Sequence, residues 1–153
     1  MPKDSIQVSG VVPTTAARVY EAWLDAADHA AMTGGAATVA GRRAGARFTA
    51  WDGYIRGKHL TLDPGKRIVQ SWRSSDFPDG AADSRLEVTL SRAPGGTRVT
   101  IRHSGLPEGQ GAGYREGWHE HYLRPMRRFF AAERRGKGSG PAPRRVARRT
   151  STR

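Results

Sequence analysis

Residues 113–133 read GYREGWHEHYLRPMRRFFAAE, and this stretch decides the fold. Its large apolar side chains recur every three or four positions, which is the spacing of one face of an α-helix. They are Tyr114, Trp118, Tyr122, Met126, Phe129 and Phe130. Pro125 lies inside the stretch and cannot donate a backbone hydrogen bond to the carbonyl of His121, so we expect a kink within 121–125. The stretch predicts a long helix whose apolar face covers the core.

The segment before this helix predicts two antiparallel strands joined by a hairpin. Apolar and polar residues alternate in 83–92 and again in 97–104, and a turn sequence rich in Gly and Pro separates the two runs. Leu86, Val88 and Leu90 share one face of the first strand, and Val99 and Ile101 share the matching face of the second. The sheet is therefore expected to be buried on one face and wet on the other.

The rest of the chain predicts further strands and two short helices. Runs at 36–40, 47–51, 54–62 and 67–73 are strand-like, with a two-residue hairpin turn at Asp52-Gly53 and a second turn at 63–66. A strand at 6–12 comes first, and a helix capped by Thr14 or Thr15 follows it. A second short helix is predicted at 26–32. The predicted fold class is α+β, with an antiparallel sheet of about six strands, two short helices after the first strand and a long C-terminal helix.

Composition divides the chain into a domain and a tail. The chain has 153 residues, no cysteine and a net charge of +12. This length fits one domain, and the lack of cysteine excludes disulfides and thiolate chemistry. Eight of the 26 basic residues lie in 134–153, which has no acidic residue and few apolar ones. We therefore expect a domain at 1–133 and a disordered basic tail at 134–153.

The tail and the N-terminus lead to further predictions about the partners and the location of the protein. The arginine pairs of the tail either make weak, non-specific electrostatic contact with nucleic acid or form a solvated extension. The first residues lead into a strand rather than an apolar signal core, and no apolar run approaches the roughly 20 residues that span a bilayer. We expect a cytoplasmic protein with no membrane contact.

Several kinds of chemistry lack the residue pattern that they need. His119 and His121 would lie roughly 200° apart around a helix, so they cannot share a metal ion. The acidic residues at 76–83 lack the spacing of a calcium loop, and the glycine-rich segments lack the motif of a phosphate loop. No Gly-x-Ser-x-Gly motif is present. We expect no metal, no cofactor and no catalytic residue, and binding rather than catalysis.

Several short strings, taken in order, resemble a known domain. They are Asp52-Gly53 to Gly57, Pro64 to Ile68-Val69, Trp72-Arg73, Phe77-Pro78-Asp79-Gly80, and Gly117-Trp118 followed by Tyr122 and Phe129. Together they resemble the C-terminal domain of the activator of heat shock protein 90 ATPase. The resemblance covers about residues 5–131, and each string alone is weak.

This resemblance implies a helix-grip fold of the START-like superfamily, with a curved antiparallel sheet around a long C-terminal helix and a cavity between them. The wider superfamily includes carriers of apolar ligands and aromatic polyketide cyclases. If the protein is an enzyme, it is therefore expected to be of the polyketide cyclase or aromatase kind. The resemblance also makes a chaperone a candidate partner, although fold similarity does not transfer activity.

Aromatic residues and two histidines are the candidates to line the cavity. They are Phe48, Tyr54, Trp72, His103, Trp118, His121 and Tyr122. His103 continues the inward stripe of Val99 and Ile101, so its imidazole either orients a ligand or is hydrogen-bonded within the core. The aromatic side chains likewise either line a cavity or fill it.

The sequence thus predicts a protein that binds a small apolar or aromatic molecule between the sheet and the C-terminal helix. The alternative is a protein-binding module, related to the activators of heat shock protein 90 ATPase, that docks on a chaperone or another partner. Such a module would use the wet face of the sheet, where Arg85, Arg98 and Arg102 lie among Glu87 and threonines.

Overall fold

The computed structural model describes residues 3–138. Its elements are β1 (Asp4–Val12), α1 (Ala16–Leu24), α2 (Ala26–Thr33), β2 (Thr38–Val39), β3 (Arg47–Ala50), β4 (Ile55–Asp63), β5 (Arg67–Ser74), β6 (Ser84–Ala93), β7 (Gly96–Leu106), α3 (Gly111–Trp118), a π-turn (His119–Leu123) and α4 (Arg124–Gly138). The strands form one curved antiparallel sheet in the order β1-β7-β6-β5-β4-β3-β2. The α+β helix-grip prediction is confirmed, and the sheet has seven strands where about six were expected.

The core lies between the concave face of the sheet and the C-terminal helix. The alternation predicted for β6 and β7 holds, since Leu86, Val88 and Ile101 are almost completely buried. From the helix side, Met126 and Phe130 are fully buried against them. The period-2 and period-3.6 patterns therefore meet at one shared apolar layer.

The C-terminal helix is irregular where Pro125 predicted a kink. Between α3 and α4 the backbone forms a π-turn, in which the N–H of Arg124 donates to the carbonyl of His119. Such a turn holds one residue more than an α-turn and is often found at functional sites. Tyr122 and Leu123 of this turn are both buried. Buried side chains also precede the turn in α3, at Trp118, and follow it in α4, at Met126 and Phe130.

The helix is longer than predicted at both ends. It begins at Gly111, where the carboxylate of Asp4 accepts hydrogen bonds from the N–H groups of Gly109 (3.0 Å) and Gly111 (2.8 Å). It ends at Gly138, so residues 134–138 of the predicted tail are helical. The remainder of that tail, 139–153, lies outside the described residues.

One ion-pair cluster joins the first and last helices. The guanidinium of Arg18 on α1 donates to both carboxylate oxygens of Glu133 on α4, at 2.9 and 2.8 Å, and to Asp28 on α2 at 2.8 Å. These charge-assisted hydrogen bonds raise the pKa of Arg18. The cluster fixes the position of α4 and hence that of the helix that covers the sheet.

The loop between β3 and β4 differs from the two-residue turn expected at Asp52-Gly53. Ala50 pairs with Ile55, so the loop contains the four residues 51–54. Three of them lie in the left-handed region, with φ of 53° at Trp51, 60° at Asp52 and 90° at Gly53. This backbone, which is strained for Trp51 and Asp52, directs the chain towards the C-terminal helix.

Candidate functional site

A pocket of about 770 Å³ lies between the C-terminal helix and the end of the sheet formed by β4 and β5. This volume is within the range of small-molecule sites, which begins at about 300 Å³. Aromatic side chains dominate the lining, which consists of Trp51, Tyr54, Ile55, Trp72, Asp76, Gly109, Gln110, Gly113, Tyr114, Gly117, Trp118, His121 and Tyr122.

The inner wall is a cluster of stacked and edge-on rings. Trp118, at the end of α3, lies with its ring centroid 6.0 Å from Trp72 of β5 and 4.7 Å from Tyr122. Behind it, Trp23 of α1 stacks on Trp118 at 6.3 Å. Because Trp72, Trp118 and Tyr122 are each less than 5% exposed, their positions are fixed by packing rather than by a ligand.

His103 lies behind this wall in a directional chain of hydrogen bonds. The indole N–H of Trp118 donates to Nδ1 of His103 at 3.1 Å, so the ring proton is on Nε2. Nε2 then donates to Oγ of Ser84 at 2.8 Å, and Ser84 donates to the carbonyl of Trp72 at 2.7 Å. Burial lowers the pKa of His103 to about 3, so the ring is neutral and both of its nitrogens are occupied.

A second buried pair holds Tyr122. Nδ1 of His29 donates to the carbonyl of Trp23 at 2.9 Å, which leaves Nε2 as the acceptor of the Tyr122 hydroxyl at 2.8 Å. Burial lowers the pKa of His29 and raises the pKa of Tyr122. Both groups are therefore neutral, and the tyrosine presents its ring rather than its hydroxyl to the pocket.

The rim of the pocket is polar and connected. The hydroxyl of Tyr54 donates to the carboxylate of Asp76 at 2.6 Å, and the side-chain amide of Gln110 donates to the Asp76 carbonyl at 2.9 Å. Tyr114 donates to Gln110 at 3.0 Å and accepts from Ser74 at 2.6 Å. Burial, followed by the bond to Asp76, raises the pKa of Tyr54. This network joins the loop after β5 to the start of α3.

Trp51 forms the side of the rim that faces the π-turn. Its ring lies edge-on to His121, with centroids 5.2 Å apart. Its indole also packs on Gly35, where an added Cβ would come within 2.6 Å of the ring. The left-handed backbone of Trp51 and the missing side chain at position 35 together place this indole at the pocket mouth.

Two glycines of α3 leave the space above the aromatic wall open. Gly113 and Gly117 are one helical turn apart and both line the pocket. A Cβ at Gly113 would meet no atom within 4 Å, and a Cβ at Gly117 would meet only Cδ2 of His121, at 3.9 Å. A helix with ordinary side chains at these positions would occupy part of the pocket.

The structure brings five of the seven predicted residues together around this pocket. Tyr54, Trp72, Trp118, His121 and Tyr122 line it, with Tyr54 and His121 on the exposed rim. His103 is separated from it by Trp118 and Trp72. Phe48 also lies elsewhere, stacked at 5.8 Å on the buried ring of His59.

Other lining residues were not predicted from the sequence. The sequence pattern places Trp51 at the end of a strand run and Tyr114 on the apolar face of the helix, and it gives no indication that Asp76 or Gln110 lines a pocket. Gly113 and Gly117 are a signal in the sequence, because glycine is unfavourable in a helix interior and leaves that part of the helix surface without side chains.

The family of the chain follows from this arrangement and from the sequence. Residues 13–131 match the family described as Activator of Hsp90 ATPase homolog 1-like protein. The chain belongs to this family. The Activator of Hsp90 ATPase homolog 1-like match spans β2 to β7, α1, α2 and most of the C-terminal helix, so it includes nearly every element that builds the pocket.

Relatives of the chain occur in eukaryotes. An uncharacterized protein of Schizosaccharomyces pombe is 30% identical over 138 residues, covering 83% of this chain and 40% of the relative. The human activator of 90 kDa heat shock protein ATPase homolog 1 is 29% identical over 100 residues, covering 65% of this chain and 29% of the human protein. The chain thus spans less than half the length of these relatives.

A solved structure of this kind has the same fold. The crystal structure of an HSP90 activator from Plasmodium falciparum superposes with a TM-score of 0.73 at 20% identity, covering 83% of this chain and 96% of that one. At this identity the likeness concerns the fold.

Two further features are absent from the described part of the chain. Within residues 3–138, no three His, Cys, Asp or Glu side chains come together as metal ligands. In the same span, no helix has both the length and the apolar character needed to cross a bilayer.

Proposed function

We propose that the protein binds a small apolar or aromatic molecule in the pocket beneath α3. The observation that carries this proposal is a pocket of about 770 Å³ beside the C-terminal helix that is lined mainly by aromatic side chains. Pockets that bind small molecules are typically of this size and are lined predominantly by apolar and aromatic side chains. The inner wall of this pocket is held by buried hydrogen bonds to His29 and His103, so a ligand meets a preformed surface and no polar group of the wall has to be desolvated.

Tryptophan fluorescence tests this proposal directly. The chain has four tryptophans; three of them line the pocket and the fourth, Trp23, stacks on Trp118. We expect titration with a panel of uncharged aromatic and aliphatic compounds to shift the emission in a saturable way. If neither a compound of this panel nor a charged aromatic compound of similar size changes the emission, the proposed function is wrong.

A variant that fills the pocket separates specific binding from surface adsorption. Gly117→Leu places a branched side chain in the open space next to His121, so we expect at least a tenfold loss of affinity for any ligand that binds. Gly136→Leu is the matched control, because it makes the same change on the same helix away from the lining residues. Equal affinities of the two variants would place the ligand elsewhere.

The second candidate function is docking on a chaperone of the 90 kDa heat shock class. It is favoured by the relatives named as activators of that ATPase and by the charge on the wet face of the sheet. On this face Arg47 pairs directly with Lys58, and Arg56 pairs directly with Arg73. Like charges directly opposite each other repel and destabilise the sheet. Acidic groups of a partner protein would offset this repulsion, so a basic surface of this kind fits an acidic protein surface.

Most of these basic side chains have no acidic partner among the described residues, which supports a basic docking surface. Arg73 is neutralised by Asp83 at 2.7 Å. Arg47, Arg56 and Lys58 form no salt bridge with any residue in 3–136. They project from adjacent strands, away from the ligand pocket.

Measurement of chaperone ATPase rate and binding tests the second function. We expect the protein to bind the chaperone and change its rate, and we expect the double variant Arg47→Glu/Lys58→Glu to lose both effects. The double variant Arg92→Glu/Arg128→Glu makes the same change in net charge at exposed positions outside β3 and β4, and it is the control for overall charge. A wild-type protein that neither binds the chaperone nor changes its rate would remove this candidate.

A further inference from the structure

The charge of the pocket lining indicates which class of ligand it takes. Among the residues that the structure describes, no lysine or arginine lines the pocket. Asp76 contributes the carboxylate among the lining residues, and the rest of the surface is mostly tryptophan and tyrosine rings. Ring faces carry negative electrostatic potential and attract cations. A ligand anion would find no lysine or arginine among the described lining residues, and the imidazole of His121 at the rim lies edge-on to Trp51.

Asp76 is held in place but is not neutralised. Its N–H donates to Oγ of Ser74 at 3.1 Å, its carbonyl accepts from Gln110, and Oδ2 accepts from Tyr54. Within residues 3–136, Asp76 takes part in none of the salt bridges. Its other carboxylate oxygen makes no hydrogen bond in the described part of the chain, so the negative charge is available at the mouth of the pocket.

The polar groups of the aromatic wall are already committed to the protein. The hydroxyl of Tyr114 donates to Gln110, that of Tyr122 to His29, and the indole N–H of Trp118 to His103. What these side chains present to the pocket is ring surface. An arrangement of aromatic rings beside one carboxylate is the physical basis of recognition of alkylated ammonium groups.

We propose that the pocket selects hydrophobic organic cations, in which an aromatic or aliphatic body carries an ammonium or quaternary ammonium group. The apolar body lies against Trp72, Trp118 and Tyr122, and the cationic group lies among Trp51, Tyr54 and Asp76 at the mouth. This inference rests on the proposed small-molecule function and adds the charge of the ligand to it.

A matched series of probes tests the inference. Benzyltrimethylammonium is cationic, dimethyl benzyl carbinol has nearly the same shape without charge, and phenylacetate is anionic. We expect the cation to bind at least about tenfold more tightly than the carbinol, and phenylacetate to bind more weakly than either. The change in tryptophan emission gives the dissociation constant for each probe.

Two variants of the same loop locate the source of the preference. Asp76→Asn keeps an oxygen acceptor for Tyr54 but removes the charge, so we expect it to weaken cation binding several-fold and leave carbinol binding unchanged. Asp79→Asn removes the same charge three residues away, at an exposed position that does not line the pocket, and should have little effect.

The outcomes separate the inference from the function on which it rests. If the carbinol and the cation bind equally well to the wild-type protein, the charge preference is wrong and the proposed function stands. If Asp79→Asn weakens cation binding as much as Asp76→Asn, the preference comes from overall charge and the inference is also wrong. If none of the three probes and no compound of the uncharged panel binds, the proposed function fails and the inference fails with it.

Discussion

His103 shows how burial decides the role of a single side chain. Both of its ring nitrogens are used, one by Trp118 and one by Ser84, and the ring is completely buried. It therefore positions the pocket wall and does not contact the space in front of that wall. Of the two roles that the sequence left open for this residue, the hydrogen bonds support the one within the core.

The buried histidine makes stability depend on pH. Burial lowers the pKa of His103 to about 3 in the folded protein, whereas an unfolded histidine has a pKa of about 6.5. Its neutral form therefore contributes fully above about pH 6.5, and stability is lost as the pH falls from there towards 3, by about 1.4 kcal/mol per unit at most. His29 and His59 act in the same direction, because their pKa values are also lowered by burial.

We predict that His103→Gln reduces this acid sensitivity. The amide oxygen can accept from Trp118 and the amide nitrogen can donate to Ser84, but the side chain does not take up a proton. Urea unfolding between pH 7 and 4 should show a shallower loss of stability than in the wild-type protein. His103→Leu should instead cost about 1 to 3 kcal/mol for each polar group left unpaired at pH 7. A wild-type slope in His103→Gln would contradict this prediction.

At the level of elements, α3 combines low helix propensity with an open pocket. Glycine in a helix interior costs up to about 1 kcal/mol relative to alanine, and α3 contains Gly113 and Gly117 at positions where a Cβ would not clash. The helix therefore gives up stability that the protein could easily gain. The lost stability is explained if a ligand occupies the space above the two glycines.

We predict that Gly113→Ala and Gly117→Ala each raise the free energy of unfolding by up to about 1 kcal/mol. They should also lower the affinity for any ligand that reaches α3, because each added methyl group narrows the pocket. Thermal unfolding and the fluorescence titration measure the two effects. Ala112→Gly, at an exposed position of the same helix, should lower stability by a similar amount without changing affinity.

The elements themselves were largely predictable from the sequence, because period and turn residues decide which face of a strand or helix is buried. Phe48 and Ala50 point inward as alternation requires, and the strands to either side follow the same rule. Trp51 is a residue whose position the alternation does not predict. It belongs to the same apolar run, but its left-handed backbone takes it out of the strand and into the pocket mouth, and the packing space that admits it is supplied by Gly35.

The pocket could be predicted only in part, because its geometry depends on contacts between distant parts of the chain. The role of His103 depends on Ser84 and Trp118, and that of Tyr122 depends on His29. No local pattern carries such pairings. The π-turn is similar, since Pro125 indicates an irregularity but does not specify its form.

At the level of the whole molecule, Arg18 joins the beginning and the end of the domain. Its side chain is about one quarter exposed and makes two hydrogen bonds to Glu133. Bidentate, partly buried pairs of this kind are stronger than exposed ones. The contact therefore contributes to the placement of α4 over the sheet.

We predict that a double-mutant cycle of Arg18→Met and Glu133→Ala gives a coupling energy of about 1 to 3 kcal/mol. The exposed pair Arg42–Glu21, with side chains 43% and 55% exposed, is the matched control. A cycle on that pair should give less than about 1 kcal/mol. Equal coupling in the two cycles would show that Arg18 is an ordinary surface contact.

The sheet order has a consequence for how the protein is made. β1 is synthesised before the other strands of this sheet, but its partner is β7, with Asp4 opposite Leu106 and Val12 opposite Thr97. The helix that covers the apolar face of the sheet is synthesised later still. A nascent chain therefore carries its uncovered apolar strands until nearly the whole domain has emerged, and it is most exposed to aggregation during that interval.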